Sequence, residues 1–290
     1  MKTSIVVAAH NEGDELLATV EATLATVSKD VEVIVVDDQS DDGSPEAVSR
    51  VGRVTVLRTP TRGGVTGSRN LGAAHASGDV LVFSDGHVRP QPGWLQPLID
   101  ELHDPAVGAV APVIFPKSGD GHPGYGFTWR SPSLTTAWIS RPTTGPRLAP
   151  MLCGCFLAIR RDVFDRLGGF DSGLTLWGME DAELSLCVWR LGLECRVVPA
   201  SQVQHLFRKV FPYAVAWAVT LHNTLRVATV HFGETAMARV LAHYATHPQF
   251  GEAAERVVVS DAFERRAWLN ELTARDADWF IDYFGIGALR

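Results

Sequence analysis

Residues 80–87 read VLVFSDGH, and this stretch decides the fold class of the chain. Its first four residues form a short continuous apolar run, which is typical of a strand buried on both faces of a parallel sheet. Asp85 and His87 follow two positions apart, so an extended backbone projects both side chains from the same face. Polar residues at the carboxyl edge of such a strand lie where open α/β sheets bind ligands. The pair therefore suggests a divalent metal site, and the plainer alternative is a hydrogen-bonded surface histidine.

Strand-like and helix-like segments alternate on both sides of this stretch. Strands are predicted at residues 4–9, 31–36, 53–57, 80–83 and 107–115. Helices are predicted at residues 15–27, 45–50, 68–76 and 93–102. This alternation indicates an α/β, Rossmann-like fold in which right-handed crossovers build a mostly parallel central sheet flanked by helices.

The second half of the chain is less regular. Residues 116–150 are rich in Gly, Pro, Ser and Thr, and so long an irregular segment in a compact domain is typical of a functional loop or lid, although a strand could also be hidden in it. A strand-like run returns at residues 153–159, and residues 181–191 have a clear helical pattern. Beyond Pro212 the pattern is helical almost to the end, which predicts a C-terminal helical extension.

Composition excludes several classes of protein. The 290 residues include 26 Lys and Arg against 33 Asp and Glu, a net charge of -7, so neither nucleic acid nor an anionic membrane is an expected partner. Four cysteines do not make a disulfide framework in so long a chain, and the spacing of Cys153 and Cys155 does not suit a zinc knuckle. No apolar run reaches the ~18 residues of a membrane span, and the apolar N-terminal stretch is too short for a signal peptide. We therefore expect a cytoplasmic protein without a transmembrane segment.

Two motifs in the first half suggest contacts with a nucleotide. Asp37 and Asp38 end the second predicted strand, where an acid can accept hydrogen bonds from a base or a ribose, although solvated acids are common there. Arg62-Gly63-Gly64 resembles a phosphate-binding loop. Since the chain has neither the spacing of a P-loop nor a GxGxxG motif that opens a predicted helix, a nucleotide triphosphatase and a dehydrogenase are both disfavoured.

Two further motifs in the second half carry acids and bases. Glu180 and Asp181 open a predicted helix directly after Trp177. Acids are favoured at a helix start, but an apolar neighbour can also raise a carboxyl pKa into the range of a general base. His205 precedes Arg208 by three residues, a combination suited to a metal and the phosphate oxygens that it bridges.

In chain order, these motifs resemble the GT-A-fold glycosyltransferases, specifically the catalytic domain of the polypeptide N-acetylgalactosaminyltransferases. Bacterial family-two-type glycosyltransferases share several of the motifs. The resemblance extends from about residue 5 to residue 232. It rests on residues 10–12 (HNE), 36–38 (VDD), 62–64 (RGG) with Arg69, 85–87 (DGH), 93–95 (GWL), 125–129 (YGFTW), 177–180 (WGME), 205–209 (HLFRK) and 212–213 (PY).

The resemblance implies that Asp85, His87 and His205 hold Mn²⁺, or another divalent cation, against the diphosphate of a UDP-sugar. One carboxylate and two imidazoles suit a borderline cation better than Ca²⁺ or Mg²⁺, which prefer oxygen ligands. The resemblance also implies further contacts with the nucleotide, the diphosphate, the sugar or its leaving group. The matching residues are Ala8, Asp38, Arg62, Arg69, Arg208 and Tyr213 on the nucleotide side, and Gly154, Trp177 and Glu180 on the sugar side.

The chain also departs from the family that it resembles. Ala8 stands where the family usually has a threonine near the uracil, and Gly154-Cys155 replaces a Gly-Gly pair along the sugar, which leaves the donor sugar open. Asp181 stands where the retaining peptide enzymes have asparagine, whereas many inverting GT-A enzymes have Glu-Asp with the aspartate as base. Inverting and retaining chemistry therefore both stay open, and Asp181 is the candidate base of an inverting reaction.

The function predicted is a metal-dependent glycosyltransferase, of the hexosyl- or N-acetylhexosaminyl-transferring kind. It would move a sugar from a UDP-sugar to a hydroxyl acceptor, which could be a peptide or protein, a glycan or a natural product. Residues 1–232 are the expected catalytic domain, with a nucleotide-binding half (1–115), an acceptor half (116–232) and a helical extension (233–290). A sugar-nucleotide nucleotidyltransferase or pyrophosphorylase is the enzymatic alternative, and a non-catalytic sugar-nucleotide-binding protein is the other.

Overall fold

The structure is a computed structural model that describes residues 1–208 and 216–290. Its strands are β1 (Thr3–Ala9), β2 (Glu32–Asp37), β3 (Thr55–Arg58), β4 (Val80–Asp85), β5 (Val88–Pro90), β6 (Val107–Pro116), β7 (Phe127–Trp129), β8 (Thr136–Trp138), β9 (Arg147–Leu148), β10 (Phe156–Arg160) and β11 (Glu194–His205). Its helices are α1 (Asp14–Thr26), α2 (Ser44–Ser49), α3 (Gly64–His75), α4 (Leu95–Leu102), α5 (Arg161–Arg166), α6 (Glu180–Arg190), α7 (Trp217–His231), α8 (Glu234–Tyr244), α9 (Phe250–Val258), α10 (Ala262–Leu272) and α11 (Ala277–Tyr283).

The central sheet has the strand order β3-β2-β1-β4-β10-β6-β11-β5, with β9 paired to β11. β1 pairs in parallel with β2 and β4, β2 with β3, and β6 with β11, so the predicted α/β class is confirmed. β10 runs antiparallel to both of its neighbours, β4 and β6, which makes the sheet mixed. A short apolar run carries no information about strand direction, because direction depends on how the preceding chain returns to the sheet.

The antiparallel direction of β10 matters for the position of the site. Phe156, the first residue of β10, pairs with Ser84 near the end of β4. The turn that precedes β10 therefore lies at the carboxyl edge of the sheet, where the backbone N–H of Asp85 donates to the carbonyl of Cys155 at 2.9 Å.

Apolar helix faces cover both sides of the sheet. Ile5 and Val7 belong to one buried cluster, to which α1, α2 and α4 contribute, whereas Val6 and Ile34 belong to a second cluster with α3, α5, α6 and α7. Strands covered on both faces need continuous apolar runs, and burying each large aliphatic side chain contributes ~1.5–3 kcal/mol to folding. This requirement explains why the apolar runs of the sequence identified β1, β2, β4 and β6.

The long strand β11, which ends at His205, was not predicted from the sequence. Pro199 and several polar residues interrupt its apolar pattern, and its pairing with β6 shifts register between Val198 and Gln202. Such an irregularity accommodates a proline within a strand and obscures the alternation of side chains. β11 nevertheless carries His205 to the carboxyl edge of the sheet, where its Nε2 lies 3.4 Å from the carboxylate of Asp85 at the end of β4.

Residues 116–150 do not form a loop throughout, since β7 and β8 within this segment form a two-stranded sheet in which Phe127 and Trp129 are buried.

The predicted helical character of the C-terminal part is confirmed by α7–α11, and Trp189 of α6 contacts the rings of Trp279 and Phe284 in that part. The boundary at residue 232 stays a prediction. None of the helices within the described residues is long and apolar enough to cross a membrane.

Candidate active site

A cavity of about 350 Å³ opens at the carboxyl edge of the sheet, between the ends of β1, β2 and β4 and the start of α6. All the predicted site residues that the structure describes line this cavity, although their positions span most of the chain. They are Ala8, Asp38, Arg62, Arg69, Asp85, His87, Gly154, Trp177, Glu180, Asp181, His205 and Arg208. The predicted Tyr213 lies outside the described residues.

Asp85, His87 and His205 converge on one side of the cavity. The Nε2 atom of His205 lies 3.4 Å from Asp85 Oδ2, and His87 Nε2 lies 4.0 Å from the same oxygen. Metal–ligand distances of about 2.1 Å allow two ligand atoms on one ion to lie up to about 4.2 Å apart. Both spacings are therefore compatible with a cation that the three side chains share.

The chemistry of these side chains also fits a divalent cation. His205 is only 8% exposed, and within residues 1–208 and 216–290 neither of its ring nitrogens has a hydrogen-bond partner. Leaving a buried polar atom unpaired costs ~1–3 kcal/mol, a cost that a bound ion would remove. Burial would raise the pKa of Asp85, but the adjacent imidazole of His205 and the charges of Arg69 and His87 hold it well below its usual range. The carboxylate is thus ionised, as a metal ligand must be.

Glu12 positions His87, a role that was not predicted from the sequence. Its Oε2 accepts hydrogen bonds from His87 Nδ1, at 2.9 Å, and from Arg208 Nη2. Occupying Nδ1 in this way fixes the ring orientation and directs Nε2 toward Asp85. Burial lowers the pKa of His87, but the bond with Glu12 and the charge of Asp85 outweigh it and leave that pKa raised. The HNE motif after β1 was the available signal for Glu12.

Arg69 connects the two sides of the cavity. Its buried guanidinium donates from Nη2 to Asp85 Oδ1, at 2.9 Å, and to the carbonyl of Gly154, at 2.6 Å. Nη1 lies 3.2 Å from Glu180 Oε1. Since Arg69 occupies Oδ1 of Asp85, the second oxygen, Oδ2, is left to face the histidines. The predicted contact of Arg69 with the nucleotide stays a prediction.

Asp38 holds the loop that precedes α3. Its buried carboxylate accepts from the backbone N–H groups of Gly63 and Gly64, both at 2.8 Å, and from the Thr59 hydroxyl at 2.9 Å. An acid at this place satisfies N–H groups that a helix start leaves unpaired, and it interacts favourably with the helix dipole. The contact thereby holds the backbone on both sides of Arg62, which lines the cavity. The predicted uracil contact of Asp38 stays a prediction.

Asp181 lies against the turn before β10. Its Oδ2 accepts from the N–H of Gly154 at 2.9 Å, and its Oδ1 accepts from the N–H of Ala182 at 2.8 Å. A Cβ atom on Gly154 would lie 2.8 Å from the Cβ of Asp181, so only glycine permits this approach. Burial and the charge of Glu180 raise the pKa of Asp181 to about 7, despite the opposing hydrogen bonds and Arg69. That pKa suits a general base near neutral pH.

The turn before α6 is held in an unusual backbone conformation. Leu176 and Met179 have φ values of 53° and 75°, in the left-handed region, and Gly178 between them has a φ of 100°. Each non-glycine residue in that region costs ~1–2 kcal/mol, so neighbouring contacts must stabilise the turn. This turn also presents Trp177 and Glu180 to the cavity.

Asn223 of α7 supplies those contacts and was not foreseen from the sequence. Its fully buried Nδ2 group donates to the carbonyls of Thr175, Trp177 and Gly178, at 2.9, 3.1 and 3.0 Å. Its Oδ1 accepts from the N–H of Thr175 at 3.0 Å. An asparagine within a helical pattern has no local signal for such a role, because its partners lie more than forty positions earlier.

Replacing Asn223 by aspartate is expected to lower the free energy of unfolding by about 3 kcal/mol. The change keeps the size of the side chain, removes its N–H donors and sets a charge against three carbonyl oxygens. Urea unfolding measures the effect. Gln96→Glu is the matched control, an amide-to-acid change on the exposed face of α4 beside Asp100, with an expected cost below about 0.5 kcal/mol. Equal stability of the Asn223 variant and the control would contradict the role of Asn223.

Comparison with solved structures identifies the class of the fold. The crystal structure of GalNAc-T7 with UDP, GalNAc and Mn²⁺ superimposes with a TM-score of 0.76 at 24% identity, covering 98% of this chain and 56% of that chain. The mannosyltransferase PcManGT from Pyrobaculum calidifontis, in complex with GDP-Man and Mn²⁺, gives a TM-score of 0.58 at 19% identity, covering 100% of this chain and 81% of that one. The fold is therefore GT-A, as the motifs predicted.

Comparison of sequences identifies the family. A model described as glycosyl transferase family 2 matches residues 4–168, more than half of the chain, and a model described as the N-terminal domain of galactosyltransferase matches residues 140–209. The chain belongs to glycosyl transferase family 2.

Curated relatives are polypeptide N-acetylgalactosaminyltransferases, which confirms the resemblance seen in the motifs. Number 12 of Mus musculus is 33% identical over 309 residues, covering 97% of this chain and 51% of the relative. The putative number 9 of Drosophila melanogaster is 31% identical, covering 97% of this chain and 46% of the relative. This chain thus spans about half the length of the curated relatives that it matches.

Proposed function

We propose that this chain is a metal-dependent glycosyltransferase that transfers a sugar from a UDP-sugar to a hydroxyl acceptor. The observation that carries the proposal is a single cavity that brings together two kinds of group. On one side Asp85, His87 and His205 converge, and on the other lie Glu180 and Asp181. Family membership and the names of the relatives support the same reaction class, and they leave the nucleotidyltransferase alternative without support.

Asp85, His87 and His205 would hold the divalent cation, for which Mn²⁺ is the first candidate because the GalNAc-T7 and PcManGT structures contain it. Such a cation, when bound, stabilises the negative charge that develops on a diphosphate leaving group. The guanidinium groups of Arg62 and Arg208 also line the cavity and would contribute charge-assisted hydrogen bonds to the phosphate oxygens.

The acids on the other side would act on the acceptor. In an inverting reaction the acceptor oxygen forms its bond to the anomeric carbon while the bond from that carbon to the diphosphate breaks. The proton of the acceptor hydroxyl would pass to the carboxylate of Asp181, whose raised pKa suits it to receive a proton near pH 7. Gly154 and Arg69 would keep Asp181 and Glu180 in position during this transfer.

The relatives' names favour a peptide or protein hydroxyl as the first acceptor to test, with glycans and natural products after it.

We also propose a cytoplasmic location, which the four free cysteines support because free thiols are typical of reducing compartments. Recovery of the native chain from another compartment in cell fractionation would contradict that location.

A panel of UDP-, GDP- and dTDP-sugars tests the donor. We expect slow Mn²⁺-dependent hydrolysis of UDP-sugars, with water as acceptor, and little turnover of the others. The contrast is informative because the neighbour PcManGT was solved with GDP-Man, so the fold alone does not select the nucleotide. Hydrolysis of only GDP- or dTDP-sugars would overturn the UDP assignment and the uracil contact of Asp38.

A further inference from the structure

Two thiols face each other at the wall of the cavity. The Sγ atoms of Cys153 and Cys155 lie 3.2 Å apart, and both residues line the cavity. Cys153 is half-buried and Cys155 is 6% exposed. Gly154 between them has no side chain, and the Phe156 N–H donates to the Cys153 carbonyl at 3.3 Å, which closes a tight turn that brings both thiols to one side.

The backbone of this turn holds groups on both sides of the cavity. The N–H of Gly154 binds Asp181, and the carbonyl of Gly154 binds Arg69. The carbonyl of Cys155 accepts from the N–H of Asp85, the last residue of β4. A change in the turn would therefore move the candidate base and a candidate metal ligand together.

We propose that Cys153 and Cys155 form a thiol-modification site, in which a small organic disulfide converts the pair to an intrachain disulfide. The family that the chain resembles has glycine at the position of Cys155, so the thiol pair is a feature of this chain. That its oxidation also stops sugar transfer rests on the proposed function.

The exchange balances in two steps. The more accessible sulfur, that of Cys153, attacks the disulfide RS–SR, forms Cys153–S–SR and releases one RSH, which takes the thiol proton. The sulfur of Cys155 then attacks the Cys153 sulfur and releases the second RSH with the second proton. Two electrons pass from the protein thiols to the small disulfide, and dithiothreitol reverses the reaction.

The new bond would change the geometry of the turn. A sulfur–sulfur bond is about 2.05 Å long, so the two sulfurs must approach by about 1 Å, and a ring this small transmits that movement to Gly154. A displacement of about 1 Å at a catalytic group can lower a rate by about 10²-fold. Oxidation is therefore expected to inhibit the enzyme by a factor of that order.

Bis(2-hydroxyethyl) disulfide is the probe, because it is small and neutral. After treatment and blocking of free thiols, tryptic digestion separates the cysteines into the peptides 148–160, 167–190 and 191–196. We expect peptide 148–160 to lose the mass of two hydrogen atoms and the others to carry blocked thiols. Hydrolysis of UDP-sugar should fall by about 10²-fold and recover with dithiothreitol.

Two variants sharpen the test. Cys155→Ala should stop at the mixed disulfide on Cys153, and Cys195→Ala, whose thiol is buried away from the cavity, should still form the disulfide. Failure of peptide 148–160 to lose two hydrogens, or inhibition that follows modification of another peptide, would overturn the site. A disulfide formed without change in hydrolysis would overturn its coupling to catalysis. Absence of hydrolysis in the reduced protein would instead contradict the proposed function, while the mass measurement still decides the site.

Discussion

Replacing His205 by alanine is expected to lower Mn²⁺-dependent hydrolysis of UDP-sugar by about 10³-fold, because a bound cation contributes several kcal/mol to stabilising the leaving group. His205 is a cleaner target than Asp85. Asp85 also holds the buried Arg69, so its removal would disturb the connection to Glu180 as well as the cation. Neither ring nitrogen of His205 has a hydrogen-bond partner among the described residues, so its removal breaks no such bond.

Because His205 has no such hydrogen bonds, its replacement should remove metal binding without unfolding the protein. Without added metal, the free energy of unfolding of His205→Ala should stay within about 2 kcal/mol of the parent, because a side chain of modest apolar area is lost together with an unpaired imidazole. Titration calorimetry with Mn²⁺ and UDP should show a loss of binding. His243→Ala, an exposed histidine of α8, is the control and should behave as the parent. Unchanged Mn²⁺ dependence in His205→Ala would contradict the three-ligand assignment.

The parts of the fold that the sequence could predict are those governed by local pattern. The apolar runs of β1, β2 and β4 are continuous because helices cover both faces of the sheet. A continuous apolar run can be recognised in the amino-acid sequence alone. Asp85 and His87 directly follow such a run, so their position at the carboxyl edge could be derived without knowing the topology.

The parts that it could not predict depend on contacts between distant segments. The direction of β10 follows from the path of the preceding segment, and a bulge near Pro199 hides β11. The position of His205 beside Asp85 came from the resemblance to a family, because no local pattern marks the end of β11. Glu12 and Asn223 act by orienting other groups through hydrogen bonds, and hydrogen-bond partners far apart in sequence leave no periodic signal.

Replacing Asp181 by asparagine is expected to lower sugar transfer by ~10²–10⁴-fold, the usual contribution of a general base, while UDP binding stays unchanged. Asparagine has the same shape but cannot take the proton of an acceptor hydroxyl. The candidate metal ligands lie on β4 and β11 or directly after β4, not on α6 with Asp181, and asparagine keeps an oxygen for the N–H of Gly154, so Mn²⁺ binding should persist. Asp162→Asn, an exposed acid of α5, is the matched control and should retain full activity.

The pH dependence tests the same assignment independently. Burial and Glu180 raise the pKa of Asp181 to about 7, so the fraction of the basic carboxylate increases as pH rises through that value. In the parent, kcat/KM should therefore rise between about pH 6 and about pH 8 and then level off, as expected for a base that must lose its proton. The residual rate of Asp181→Asn should lack this rise.

The anomeric configuration of the product determines how the activity of Asp181→Asn is interpreted. In a retaining front-face reaction the leaving phosphate can accept the proton, and Asp181 would then serve only to position Gly154 and the neighbouring chain. Near-normal transfer by Asp181→Asn, with the rise in rate near pH 7 preserved, would contradict the base and favour that retaining route. A large loss of transfer together with an inverted anomeric configuration in the product would identify Asp181 as the base, since inversion requires a group on the acceptor side to remove the proton.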